Sequence, residues 1–270
     1  MKRIVTLLLA AGLVLGAAAG SQAADIKAKG NWTFTWQLGD NNLFEKNGEE
    51  QLPMASTTKI ATALTVLDEL TENGDESRLD ETFSVPASCC GVEGSSVYLK
   101  EGEDTTAREL LYGLMLRSGN DCAATLAVRV SGSIKKFAEK MNQTAMRAGA
   151  LHTRFKNPHG LPEKGHYTTA RDLSMIAALA LENKTFAKIV NTRRYEPKNW
   201  TNKNKMLAEY DGAFGVKTGY TKQAGRCLVS AAERNGMSLI CTALNCSDTY
   251  GESKKLLDDA FAAYDLSLLQ

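Results

Sequence analysis

Three short polar strings stand far apart in this chain and make chemical sense only if the fold brings them together: Ser56-Thr57-Thr58-Lys59, Ser118-Gly119-Asn120 and Lys217-Thr218-Gly219. About sixty residues separate the first two and about a hundred the last two. The first string alone says little, because roughly one Ser-x-x-Lys match arises by chance in a chain of this length and composition. Ser133-Ile134-Lys135-Lys136 is such a match, and Ser133 reads as the N-cap of a helix carrying Phe137, Ala138 and Met141, with both lysines on its wet face. Ser-x-Asn and Lys-Thr-Gly each occur once. In this order the three strings form the signature of serine acyl transfer in which a lysine replaces histidine as the base.

The spacing has a mechanical meaning. Ala55 to about Asn73 reads as a helix, with Ile60, Ala63, Leu64, Leu67 and Leu70 as its apolar stripe. Ser56 then lies in the first turn, and residues three apart share a helix face, so Ser56 and Lys59 meet. A serine hydroxyl needs a base to become a nucleophile, and a lysine amine serves once burial or a nearby cation lowers its pKa. The helix N-terminus adds partial positive charge where negative charge develops. Ser118-Gly119-Asn120 follows a helical stretch from Thr106 to about Leu116, in which Thr106 and Glu109 have capping-box spacing. Lys217-Thr218-Gly219 lies in the short run Phe214 to Tyr220, ahead of a hairpin. That hairpin pairs Arg226 to Glu233 with Met237 to Leu244 around Asn235-Gly236, the strongest short hairpin signal.

The chain as a whole reads as mixed α and β. Trp32, Phe34, Trp36 and Leu38 alternate with polar residues as a half-buried strand, and Gly39-Asp40-Asn41-Asn42 turns into a second. Helical stripes occupy 106–116, 121–131, 134–148 and 169–182, and Thr249 to Tyr264 closes as a helix with Leu256, Leu257, Ala260, Phe261 and Tyr264 on one side. Strands at both chain ends, with helices between, predict one antiparallel sheet assembled from the two ends. Met1-Lys2-Arg3, the apolar run Ile4 to Ala19 and Ser21-Gln22-Ala23 have the pattern of a secretion signal over 1–23, cleaved before Ala24. A mature chain of about 247 residues is expected to form one domain, 24–270, with a helical part at about 80–185 inserted in the sheet part. The expected location is therefore extracytoplasmic, without an obligatory membrane anchor.

Net charge and reactive side chains exclude several alternatives. A formal net charge of +1, with no basic stripe interleaved with aromatics, gives no case for nucleic acid. The six cysteines follow no disulfide framework. If Asn235 and Gly236 are the turn, Cys227 faces Leu244 and Cys241 faces Ser230, which puts the two thiols on opposite faces of the hairpin. Cys122, close to Asn120, reads as a small core residue on a helix. His152, His159 and His166 recur every seven residues, but Pro158, Gly160, Pro162 and Gly165 forbid a helix there. Loop positions are expected for them, with no metal site and no cofactor.

The chain resembles the D-alanyl-D-alanine carboxypeptidases among the low-molecular-mass penicillin-binding proteins. The likeness extends to Pro53-Met54-Ala55-Ser56-Thr57-Thr58-Lys59, Arg117-Ser118-Gly119-Asn120-Asp121, Asn157-Pro158-His159-Gly160-Leu161, His166-Tyr167-Thr168-Thr169-Ala170 and Gly215-Val216-Lys217-Thr218-Gly219-Tyr220-Thr221, and covers roughly 52–245. It implies the serine β-lactamase/DD-peptidase-like fold and catalysis by Ser56, Lys59, Ser118 and Asn120. Ser56 would attack the bond between the two terminal D-alanines of a peptidoglycan stem peptide, with Lys59 as general base. Ser118 and Asn120 would relay protons and hold substrate. Lys217 would bind the terminal carboxylate or hold down the Lys59 pKa, with Thr218, Gly219 and Tyr220 completing the substrate site. Backbone N–H groups of Ser56 and Tyr220 would form the oxyanion hole, and β-lactam antibiotics would acylate Ser56. Many relatives continue into a β-rich domain and an amphipathic tether, whereas this sequence stops at Gln270.

Three other activities share parts of this pattern. A class A β-lactamase adds a glutamate that activates the deacylating water; the middle segment offers Glu163, in Leu161-Pro162-Glu163-Lys164, with no supporting motif, and the central string is Ser-Gly-Asn rather than Ser-Asp-Asn. A DD-endopeptidase applies the same chemistry to crosslinks. A non-enzymatic cell-wall or β-lactam sensor would not need every reacting side chain, and all are retained here.

Overall fold

The computed structural model describes residues 31–36 and 42–267, with side chains over 45–262. The secretion signal and the strand-to-strand turn at Gly39–Asn41 lie outside the described residues, as does the half-burial of Trp32, Phe34, Trp36 and Leu38.

Both chain ends build one antiparallel sheet, as the strand pattern predicts. Its five strands are β1 (Asn31–Trp36), β2 (Asn42–Lys46), β7 (Ala213–Thr221), β8 (Gly225–Arg234) and β9 (Met237–Leu244), in the order β2-β1-β9-β8-β7. Two minor ladders pair β3 (Thr82–Ser84) with β4 (Asp104–Thr106) and β5 (Arg194–Tyr195) with β6 (Trp200–Thr201). Asn235 and Gly236 both have positive φ, 51° and 77°, the geometry of a two-residue hairpin turn whose twist matches the strands. The register that follows pairs Arg234 with Met237 and Ser230 with Cys241.

That register sorts the apolar side chains onto two faces. Cys227, Val229, Ala231, Ile240 and Leu244 join the larger core with helices α1 (Lys59–Leu70), α3 (Asn120–Ser131) and α5 (Ala170–Glu182). Leu228, Ala232, Leu239, Cys241 and Ala243 pack instead beneath α8 (Thr249–Ser267), which contributes Leu256, Leu257, Ala260 and Phe261. The sheet is thus covered on both sides. Cys227 and Cys241 fall in different cores, and all six cysteines are free thiols.

The remaining helices are α2 (Ala107–Tyr112), α4 (Ile134–Arg147), α6 (Lys184–Asn191) and α7 (Met206–Glu209). The expected caps form: Thr106 Oγ1 accepts from Glu109 N at 3.1 Å, and Ser133 Oγ accepts from Lys136 N. Two helices differ from expectation at the ends that matter for chemistry. The stretch beginning at Ala55 is a 3-10 turn over Ala55–Thr58, and α1 proper runs only from Lys59 to Leu70. Ala55 has φ 50°, a left-handed conformation that costs an alanine about 1–2 kcal/mol and prevents the helix from starting there. At the other end Asn73 and Gly74 both have positive φ, closing a tight turn instead of another helical one. Likewise α2 stops at Tyr112 and continues as a π-helical turn, Gly113–Arg117, ending with Ser118 at φ 65°.

Among the described residues no helix is long and apolar enough to cross a membrane. Leu257 is fully buried between α8 and the sheet, so Leu257→Ala is expected to lower the unfolding free energy by about 2–5 kcal/mol in urea titration. A loss below about 0.5 kcal/mol would show that α8 is not part of the cooperative core.

Candidate active site

Lys59 is the centre of the site, and it is buried completely. Its Nζ lies 2.9 Å from Ser56 Oγ, 2.7 Å from Asn120 Oδ1 and 2.7 Å from the backbone oxygen of His159. Burial pushes the Lys59 pKa well below the usual lysine range, and the nearby Lys217 pushes it further the same way. Lys217 is itself buried, donates to the carbonyl of Thr218 at 2.8 Å, and is lowered to about 7, chiefly by desolvation.

Each partner of Lys59 is held by a local device. The 3-10 turn puts Ser56 and Lys59 one short turn apart, with Ser56 half-buried. Asn120 is the first residue of α3; its side-chain amide donates to the carbonyl of Glu93 and its backbone N–H to the carbonyl of Ser95 at 2.7 Å. That leaves Asn120 Oδ1 facing the amine. His159 is placed by its neighbour Gly160, whose φ of 87° and contact with the turn admit no side chain: a Cβ there would lie 1.9 Å from the backbone oxygen of Ala55. Gly160 N donates to Asn157 Oδ1 at 2.8 Å, and Thr62 Oγ1 donates to the carbonyl of Pro158 at 2.7 Å.

The third string reaches the same place from the sheet. β7 runs against the 3-10 turn so closely that a Cβ on Gly219 would stand 3.1 Å from Met54 O, Ser56 N and Thr57 N. The glycine of Lys-Thr-Gly is therefore a close-approach residue. It lets the edge strand lie beside the leading N–H groups of the turn, of which Thr57 N donates to the Met54 carbonyl at 3.3 Å.

A cleft of about 320 Å³ opens over these groups, lined by Ser56, Ser118, Thr218, Gly219 and Tyr220. Seven of the eight residues expected from the sequence thus reach the cleft or the Ser56–Lys59 pair directly, Asn120 through its contact with Lys59 Nζ. Lys217 does neither and is buried at 2% exposure.

Several contributors carry no short-motif signal. Ser95, Lys203, Arg226, Cys227, Thr249 and Tyr250 complete the cleft, coming from segments that meet only through tertiary packing. Asp121 is legible only through its adjacency to Asn120. Its buried carboxylate accepts from Ser96 Oγ at 2.6 Å and from the N–H groups of Val97, Leu99 and Cys122, fixing the loop that carries Ser95. His166 links Thr58 Oγ1 at 2.9 Å to the backbone N–H of Lys156 at 3.0 Å, and burial lowers its pKa to about 4. It is a structural pin of the turn. Cys122 is wholly buried, with burial pushing its thiol pKa well up. No group of three His, Cys, Asp or Glu side chains is placed to hold a metal among the described residues.

The buried lysines make a pH prediction. Lys217 binds protons more weakly folded than unfolded, so its contribution is complete above the unfolded value near 10.5 and is lost as pH falls to about 7. Lys59 acts in the same direction. The unfolding free energy, measured in urea, is expected to rise from pH 7 to pH 9, with a shallower rise in Lys217→Met; a fall over that range, or an unchanged slope in the variant, would contradict the assignment.

Comparison with known proteins places this geometry. The profile of the D-alanyl-D-alanine carboxypeptidase family matches residues 18–248. The chain is 37% identical over 260 residues to the D-alanyl-D-alanine carboxypeptidase of Streptomyces sp. (strain K15), covering 88% of this chain and 87% of that one. It is 34% identical over 233 residues to the D-alanyl-D-alanine carboxypeptidase DacF of Bacillus subtilis (strain 168), covering 83% of this chain but 59% of the relative's length. The crystal structure of the Streptomyces K15 DD-transpeptidase superposes with a TM-score of 0.80 at 32% identity, covering 88% of this chain and 98% of that one. The fold is therefore that of the DD-peptidases, and the chain belongs to the D-alanyl-D-alanine carboxypeptidase family.

Proposed function

We propose that the protein is a serine-type D-Ala-D-Ala carboxypeptidase, acting on peptidoglycan stem peptides through an acyl ester on Ser56. One observation carries this reading: the three contacts of Lys59 Nζ. A neutral amine has two hydrogens and one lone pair. Asn120 Oδ1, fixed by its own amide, and the His159 carbonyl can only accept, so they take both hydrogens. The lone pair is left for the hydroxyl hydrogen of Ser56, which is the arrangement a general base requires.

The reaction then follows from placement. Ser56 Oγ bonds to the carbonyl carbon of the penultimate D-alanine while its proton passes to Lys59. The negative charge on the carbonyl oxygen meets the N–H groups of Ser56 and Tyr220, each such donor being worth about 2.7–4 kcal/mol in the barrier. The C–N bond breaks, and terminal D-alanine leaves with a proton relayed by Ser118 on the cleft wall. Water cleaves the ester and restores Ser56. Lys203 and Arg226 supply positive charge along the cleft for the substrate carboxylate, whereas Lys217, behind Thr218, adds to the burial that lowers the Lys59 pKa whenever it carries its charge.

A β-lactam acylates the same serine in this reading, and the adduct is long-lived. No carboxylate lines the cleft among the described residues, and Glu163 faces a different groove. That arrangement disfavours a class A β-lactamase. We also infer that residues 1–23 are a secretion signal and that 24–270 forms one extracytoplasmic catalytic domain, with its helical part inserted in the sheet part.

Intact-mass analysis after incubation with benzylpenicillin is expected to show one adduct on Ser56, alongside D-alanine release from a peptide ending in Lys-D-Ala-D-Ala. Ser56→Ala abolishes both, and Lys59→Ala slows both by about 10²- to 10⁴-fold; near-normal labelling of either variant would refute the mechanism. N-terminal sequencing of the exported protein is expected to begin at Ala24, and an intact Met1 would refute the signal.

A further inference from the structure

A second groove adjoins the catalytic turn and shares no lining residue with the cleft. Pro53, Glu163, Lys164, His166, Tyr167 and Gln223 form its walls. We propose that this groove reads the side chain of the stem peptide's third residue and is built for one that ends in both an ammonium and a carboxylate. The inference rests on the carboxypeptidase reading and specifies its substrate.

The position of the groove follows from chain geometry. Pro53 precedes Ser56 by three residues, and Gln223 follows Tyr220 by three, so each wall begins within about 10 Å along the chain of a residue that lines the cleft. β7 is the outer strand of the sheet, and extended peptides add to such edges. With the terminal D-alanine beside Thr218 and Lys203, a peptide running antiparallel to β7 passes Tyr220 and continues toward Gln223. Its third residue is the one before the attacked D-alanine. One residue of backbone, about 3.8 Å, and a long diamino acid side chain together span about 10 Å.

The chemistry of the groove comes from Glu163 and Lys164. Glu163 Oε2 accepts from Asn157 Nδ2 at 3.0 Å, and Asn157 is 4% exposed. The same Asn157 holds Gly160 through its Oδ1 and Leu161 through its Nδ2, so the Glu163 carboxylate is tied to the frame that places His159 against Lys59. Although exposed, it is not free to swing away. Lys164 stands beside it on the same groove, and no ion pair joins Lys164 to any described residue. An ammonium alone would meet Glu163 but be repelled by Lys164. A terminus carrying both charges satisfies the pair, each exposed contact contributing about a twofold to fivefold effect.

The test compares kcat/KM for D-alanine release from three pentapeptides whose third residue is meso-diaminopimelate, L-lysine or Nε-acetyl-L-lysine. The wild-type enzyme is expected to favour the diaminopimelate peptide over the lysine peptide by about fivefold. K164Q removes that preference, and E163Q lowers both charged peptides relative to the acetylated one. Equal use of all three peptides by the wild type overturns the inference by itself, whether or not either variant folds. Variants that change all three peptides by one factor overturn it too, since that is the mark of a general structural effect. If the wild type releases D-alanine from none of the three and takes up no benzylpenicillin, the carboxypeptidase reading falls and the inference with it.

Discussion

A lysine amine enclosed in protein has to be neutral or fully partnered, and the architecture around Ser56 is organised by that requirement at Lys59. Its three contacts come from three separate parts of the chain: the 3-10 turn supplies Ser56, the start of α3 supplies Asn120, and the loop over 157–161 supplies the His159 carbonyl. Two glycines make the convergence possible. Gly160 lets the loop rest on the carbonyl of Ala55, and Gly219 lets β7 close on the same turn from the other side. Neither position has room for a methyl group without displacing backbone.

The second buried lysine gives this arrangement its direction. Lys217 does not line the cleft; it donates to Thr218 and raises the local potential around Lys59. Like charge and desolvation act together, and both favour the amine over the ammonium. Instability introduced by burying two lysines is offset by the two apolar cores on either face of the sheet, which hold the turn, α3 and β7 in register. The strained φ of Ala55 and the left-handed Ser118 sit beside the reacting groups, where such conformations concentrate.

Much of this was legible in the amino-acid order because it is local. Residues three apart bring Ser56 to Lys59 whether the turn is α or 3-10, so their meeting does not depend on where the helix proper begins. Asn235-Gly236 set the hairpin register, and from it the opposite faces of Cys227 and Cys241. The unreadable parts are those that depend on meeting across the fold. Lys203 and Tyr250 reach the cleft with no motif of their own, and the His159 contribution is a backbone oxygen that any residue could offer. The roles open to Lys217, contact with a carboxylate or control of a neighbour's charge, differ by a few ångströms of burial that no spacing encodes. Helix α6 does carry a signal in the sequence, a capping Asn183 followed by Phe186, Ile189 and Val190 at helical spacing, whereas the π turn before Ser118 has none of its own.

The central claim is that Lys59 is a neutral amine at working pH. Carbon-13 NMR of protein labelled at the lysine Cε reads this directly, because the Cε shift reports the charge on Nζ and Lys59→Met identifies the resonance. The account predicts a Lys59 signal in the neutral position at pH 8, well below the pH at which exposed lysines titrate. A Lys59 that stays charged until pH 10 would contradict it and leave Ser56 without its base.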